Sequence, residues 1–179
     1  MFRILDKNTA KKSLSLWGRD LGMWLFFLFI FSCSRLPDVQ GKGEAFLQGV
    51  WNQDSIAHKQ ELQAYTQHLF KFTCDSFYVD FVTHSKVNYY EEECYNGGLW
   101  KEYAKGTYQV RNDSLILVGD FTKSNYKQKV SGCYRSGRYI TNFKVKAWNA
   151  TQLQLENLSD QTEVILNLKQ KITCVPKAL

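Results

Sequence analysis

Short segments in which apolar and polar residues alternate follow one another through most of the chain beyond residue 46. Phe77, Val79 and Phe81 form one such series, and residues 100–111 and 114–122 alternate on either side of a turn-forming Asn-Asp pair. Alternation with a period of two is typical of strands that bury one face. The segments recur about every ten residues, which predicts an all-β domain, a single antiparallel meander of about eight to ten strands. Because a long sheet has to cover its edges, we expect the meander to close into a barrel.

One segment departs from this pattern. Within residues 54–67 and just beyond, Leu62, Tyr65 and Leu69 are spaced by three and four residues, and Ser55 could cap a helix. The segment follows the first predicted strand, residues 46–51. The spacing predicts one short helix there, and an irregular lid is the alternative.

The N-terminal residues have the pattern of a targeting segment. A basic leader precedes an unbroken apolar run from Leu21 to Phe31, which is 11 residues long and too short to span a bilayer as a helix. The run ends in Ile30-Phe31-Ser32-Cys33, which resembles the lipobox of bacterial lipoproteins. The resemblance implies that residues 1–32 are a signal peptide and that the Cys33 thiol carries a diacylglycerol, with palmitate-like chains that hold the protein on a membrane. Ordinary secretion with cleavage nearby is the alternative.

The chain beyond the predicted cleavage site divides into two parts. Residues 33–45 contain Pro37 and two glycines and are predicted to form a lipidated tether, and residues 46–179 form the barrel domain. Of the 23 basic and 17 acidic residues, the leader holds five and two, so 18 and 15 remain and the net charge falls from +6 to +3. This small excess gives no support to nucleic-acid binding. We expect a membrane-anchored protein of the periplasm or the outer membrane.

The cysteines agree with export. Apart from Cys33 there are four, and an even number favours disulfides in an oxidising compartment. Four cysteines allow three connectivities. If the chain reverses near Ser85, Cys74 and Cys94 lie opposite one another, so this layout favours Cys74–Cys94 and Cys133–Cys174.

Two short motifs resemble those of lipocalins. Gly49-Val50-Trp51 is similar to the G-x-W element of the first lipocalin strand. The segment from Gly106 to Leu117 resembles the GxYxVxxDxLxL hairpin of small lipocalin-like lipoproteins of Bacteroidetes-type bacteria. The resemblance implies a lipocalin-like barrel that binds a small apolar ligand or a lipid.

The aromatic residues are the candidates for lining a ligand site, because a small barrel directs alternate residues inward. The same side chains could instead fill the barrel. The candidates are Trp51, Phe70, Phe72, Phe77, Phe81, Tyr108 and Trp148.

No motif predicts a catalytic residue, a metal site or a cofactor. His58 and Glu61 are three residues apart, but a zinc site needs a further close ligand. The first alternative to a ligand-binding protein is a non-catalytic accessory lipoprotein that binds a protein partner. The second is an enzyme such as fumarate hydratase, a label carried by some similar exported chains. The serine loop and the cluster-binding cysteines of fumarases are missing from this sequence.

Overall fold

A computed structural model of the protein describes residues 39–178, and these form an eight-stranded antiparallel barrel. The predicted all-β barrel is therefore confirmed. The strands are β1 (Gly49–Asn52), β2 (Ala64–Thr73), β3 (Ser76–Ser85), β4 (Leu99–Arg111), β5 (Ser114–Thr122), β6 (Arg138–Trp148), β7 (Gln152–Asn157) and β8 (Glu163–Lys171). The predicted signal peptide and Cys33 lie outside the described residues, so their assignment stays a prediction.

Each strand pairs with its neighbours in sequence, and β1 also pairs with β8 to close the barrel. The hairpin β4–β5 matches the sequence pattern, with Val110 opposite Leu115 and a turn at Asn112-Asp113. Asn112 adopts a φ of 57°, a left-handed conformation that asparagine tolerates better than most residues. Residue type therefore fixes this turn locally.

The short helix lies elsewhere than predicted. Residues 53–63, which follow β1, form turns and irregular chain, the alternative that the pattern left open. The helix α1 (Glu92–Tyr95) and a 3₁₀ turn (Asn96–Gly98) instead connect β3 to β4. Ala64 to Gln67 extend β2, because each pairs with a residue at the end of β3. Ladder hydrogen bonds to β3 outweigh the weak helical spacing.

The up-and-down topology gives the barrel two different ends. The base holds the turns β2–β3, β4–β5 and β6–β7 together with residues 39–48 and 172–178. The lid end holds the longer connections 53–63, 86–98, 123–137 and 158–162. Residues 39–45, expected to belong to the tether, lie against the base: Val39 bridges to Ala178, and the Gly41 N–H donates to Asp75 Oδ2 over 2.9 Å.

The predicted disulfide pairing is wrong. The structure pairs Cys74 with Cys174 and Cys94 with Cys133, with Cα separations of 4.8 and 5.4 Å. Cys74 and Cys174 are both at the base, whereas Cys94 and Cys133 are both at the lid end. The prediction placed a chain reversal near Ser85, but the chain reverses at Cys74-Asp75 and again between residues 86 and 98. The whole length of β3 therefore separates Cys74 from Cys94.

The barrel interior is filled with side chains from alternate positions of all eight strands, and Leu47 packs beneath them from the base. Neighbouring rings contact one another, as in the stack of Phe70 on Phe72 with centroids 5.5 Å apart. Among residues 39–178, no helix has the length and apolar character needed to cross a membrane.

Candidate functional site

The structure separates the predicted ligand-lining residues into two groups. Six are buried in the barrel interior, where they pack against one another as part of a single core. These six are Trp51, Phe70, Phe72, Phe77, Phe81 and Tyr108. Trp148 is different, because 58% of its surface is exposed at the end of β6. The first group stabilises the barrel, and Trp148 remains as a candidate binding residue.

Trp148 lies beside a pocket at the base of the barrel. Its ring stacks on Phe46, with centroids 4.9 Å apart and planes inclined by 23°. The pocket has a volume of about 400 Å³ and opens to solvent. Apolar walls come from Phe46, Val110, Val145 and Trp148, and the polar lining comes from Asn112, Asp113 and Lys146. We call this the base pocket.

Hydrogen bonds at the base hold the segment that carries Phe46. The Tyr108 hydroxyl accepts from the Glu44 N–H over 3.0 Å and donates to the Cys74 carbonyl over 2.7 Å. Gln48 bonds to both backbone groups of Cys74, at 2.7 and 2.8 Å. Burial raises the pKa of Tyr108 to about 12, so its hydroxyl stays protonated and can donate. These hydrogen bonds fix the backbone of residues 44–48, and this segment carries the Phe46 wall of the base pocket.

The lid end contains a buried carboxylate with a charged partner. Glu102 points inward from β4, and its side chain is 4% exposed. Arg135 reaches it from the β5–β6 connection: Nε donates to Oε1 over 2.8 Å and Nη2 donates to Oε2 over 2.9 Å. Burial alone would raise the pKa of Glu102, but the hydrogen bonds and charge of Arg135 outweigh it and hold the pKa below its usual value. Glu102 is therefore charged at neutral pH.

Aromatic rings surround this ion pair. The Arg135 guanidinium lies over Phe81 and Phe121, at 5.1 and 4.7 Å from the ring centroids. Such contacts favour a cation over the ring face. Two residues earlier in the chain, Cys133 is joined to Cys94 of the β3–β4 connection. The disulfide and the ion pair together hold these two connections over the lid end.

His68 is a further polar group inside the lid end. Its Nδ1 lies 2.9 Å from Gln53 Oε1, and its ring stacks on Phe70 with centroids 5.7 Å apart. Burial lowers the pKa of His68 to about 4, and the positive charge of Arg135 contributes in the same direction. His68 is therefore neutral at physiological pH, and it donates from Nδ1 because the Gln53 oxygen can only accept.

Sequence reasoning missed both Glu102 and Arg135. One signal for Glu102 was present: it is in phase with Trp100, Ala104 and Tyr108, so the alternation that predicted β4 also places a carboxylate on the inward face. No comparable signal exists for Arg135, which lies on an irregular connection. His58 and Glu61, the pair considered for a zinc site, are exposed side chains, and His58 Nδ1 lies 3.6 Å from Glu61 Oε1.

Fold and site together define a disulfide-bonded up-and-down β-barrel with a filled interior, a base pocket and a charged lid end. No protein-family model matches the chain, and neither a curated protein nor a solved structure does.

Proposed function

We propose that this protein is an exported, lipocalin-like lipoprotein that binds a small apolar ligand or a lipid in the base pocket. One observation carries the proposal: Trp148 is a large aromatic side chain that remains 58% exposed while it stacks on Phe46 at the mouth of a pocket. Exposed aromatic surface held rigidly next to a concavity is typical of binding sites.

The lining of the base pocket indicates the chemistry of the ligand. Val110 and Val145 offer apolar walls, whereas Asp113 and Lys146 stand among the lining residues as a carboxylate and an ammonium. Lys146 also pairs with Glu156, at 3.0 Å. A volume of about 400 Å³ suits an acyl chain segment or a flat ring system with one polar end. Because aromatic side chains fill the barrel interior, we place the ligand at the base and not inside the barrel.

The proposal of export has separate support. Residues 21–33 have the pattern of a lipoprotein signal, with Cys33 as the acceptor of the lipid. All four cysteines of the described residues are paired in disulfides, a state that persists in oxidising compartments. Substitution of Cys33 by alanine is expected to move the protein from the membrane fraction to the soluble fraction and to abolish the mass of the attached lipid. Unchanged fractionation would contradict the anchor.

Ligand binding is tested by titrating the purified protein with palmitate and with the dye 1-anilinonaphthalene-8-sulfonate. About 100 Å² of exposed Trp148 surface can be covered, worth about 2 kcal/mol, so Trp148→Ala is expected to weaken binding by about tenfold or more. Trp100→Phe changes a tryptophan at the opposite end and serves as the matched control. Equal affinities of the Trp148→Ala and unaltered proteins would place the ligand elsewhere.

A protein partner is the second candidate function, favoured by apolar surface at the lid end. Tyr89 is 61% exposed and Val130 is 79% exposed, on the two connections that the Cys94–Cys133 disulfide joins. Large apolar side chains that remain exposed are candidates for contact with a partner. Crosslinking in intact cells should capture a neighbour that Val130→Glu loses and that Trp148→Ala keeps. A protein that is monomeric and without stable neighbours would exclude this candidate.

A further inference from the structure

The described chain begins at the base of the barrel. Val39 forms a bridge to Ala178, and the Gln40 N–H donates to the Lys177 carbonyl over 2.8 Å. Val39 lies six positions after Cys33 in the sequence, so even a fully extended chain spans about 20 Å between them. If Cys33 carries the lipid, as proposed above, the base is held close to the bilayer. The following inference rests on that anchor.

Apolar side chains are exposed at this same end. Trp148 is 58% exposed, Val175 is 74% exposed and Val39 is 52% exposed. Tryptophan is favoured at the boundary between lipid and water, where its ring is apolar and its N–H remains hydrated. Because these side chains are already exposed, they could insert among lipid headgroups without a rearrangement that uncovers more of the apolar core.

Cations accompany these apolar side chains. Lys42, Lys171 and Lys177 are exposed at the base, and within residues 39–178 they take part in no ion pair. Glu44 and Asp75 are at the same end, but the Asp75 carboxylate accepts hydrogen bonds from Gly41 and Ser76. Lysine side chains near a bilayer surface are attracted most strongly by anionic headgroups.

We propose that the base of the barrel docks on an anionic phospholipid bilayer, with Trp148 at the level of the headgroups and with Lys42, Lys171 and Lys177 against their phosphates. The base pocket then opens toward the membrane, and its ligand is a lipid drawn from it. The lid end lies about 25 Å away, because the ten residues of β3 cross the barrel at a tilt. Its exposed Tyr89 and Val130 therefore face away from the bilayer.

The three tryptophans beyond Cys33 provide the test, since Trp148 is at the base, Trp100 is at the lid end and Trp51 is in the core. The full lipidated protein is reconstituted into vesicles of phosphatidylcholine and phosphatidylglycerol that contain a headgroup-level nitroxide lipid. We expect strong quenching of the unaltered protein, at least a threefold loss of that quenching in Trp148→Phe, and little change in Trp100→Phe. The unaltered protein should lose quenching in 0.5 M salt or without phosphatidylglycerol, whereas the double variant Lys42→Gln/Lys177→Gln should show weaker quenching at low salt and a smaller response to both changes.

Two results would overturn the docking. One is equal quenching in Trp148→Phe and in the unaltered protein, and the other is a loss of quenching in Trp100→Phe, which would put the lid end on the membrane. The mass of the purified protein, measured before reconstitution, shows whether Cys33 carries a lipid and so tests the anchor independently of the docking. If Cys33 carries no lipid, the proposed anchor fails, and the same quenching measured with the soluble protein at high vesicle concentration still decides whether the base binds anionic lipid.

Discussion

Acidification acts on the barrel through His68, whose pKa is lowered to about 4 by burial in the lid end and by the charge of Arg135. In the unfolded chain the histidine titrates near 6.5. Below that pH the unfolded chain therefore binds a proton that the folded protein does not. The associated stability is fully present above pH 6.5 and is lost as the pH falls toward 4.

The expected loss is about 2 kcal/mol between pH 6.5 and 4.5, since each unit of pKa difference is worth about 1.4 kcal/mol. Glu102 acts in a lower window: its pKa is held below the usual 4.5, so the stability it contributes is present above 4.5 and is lost below it. The interval from pH 6.5 to 4.5 therefore isolates His68. Urea unfolding followed by far-ultraviolet circular dichroism, with both disulfides intact, measures this dependence.

His68→Gln should flatten the dependence between pH 6.5 and 4.5, because glutamine can donate to Gln53 but does not titrate. His84→Gln is the matched control, since His84 stacks on Tyr65 at the outer ends of β2 and β3. It should retain the slope of the unaltered protein. The reasoning fails if His68→Gln keeps the slope or if the unaltered protein shows none over this interval.

Three further changes test other contacts. Arg135→Ala leaves the buried charge of Glu102 without its partner and should lower the unfolding free energy by about 2–4 kcal/mol, more than the double variant Glu102→Met/Arg135→Met does in the same urea assay. Replacing Cys94 and Cys133 by serine opens a loop of 39 residues and should cost at most about 4 kcal/mol by calorimetry. Gly119→Ala places a methyl group 2.1 Å from a carbonyl oxygen of the neighbouring strand and should cost about 1–3 kcal/mol, seen as a lower urea midpoint.

Strand content could be predicted because it is encoded locally. In β4 and β5 the alternation runs through 13 and nine residues, and the Asn112-Asp113 turn leaves a single register. Elsewhere the local pattern is a poor guide. The sequence of residues 126–134 resembles that of a strand, yet these residues form irregular chain whose Tyr126 hydroxyl donates to Asp80 on the outside of β3.

The disulfide pairing could not be predicted by counting residues from an assumed reversal. Cys94 lies in the helix α1, on a connection of 13 residues whose path no local pattern fixes. Once the chain is known to run up and down, the pairing follows: Cys74 follows β2 at the base, and Cys174 follows β8 at the same end. The positions of the cysteines depend on the topology of the whole barrel.

Polarity changes along the barrel axis, and this gradient has a consequence for how the protein opens. Leu47, Phe72 and Leu153 pack above the base, whereas Glu102 and His68 lie inside the lid end. Acid weakens the lid end through these two groups, while the base keeps its apolar packing. At mildly acidic pH the protection factors for amide exchange should therefore fall in the ladder near Thr83 before they fall near Phe72. The base pocket and its fixed segment would then outlast the opening of the lid end, which places the most stable part of the domain next to the proposed anchor.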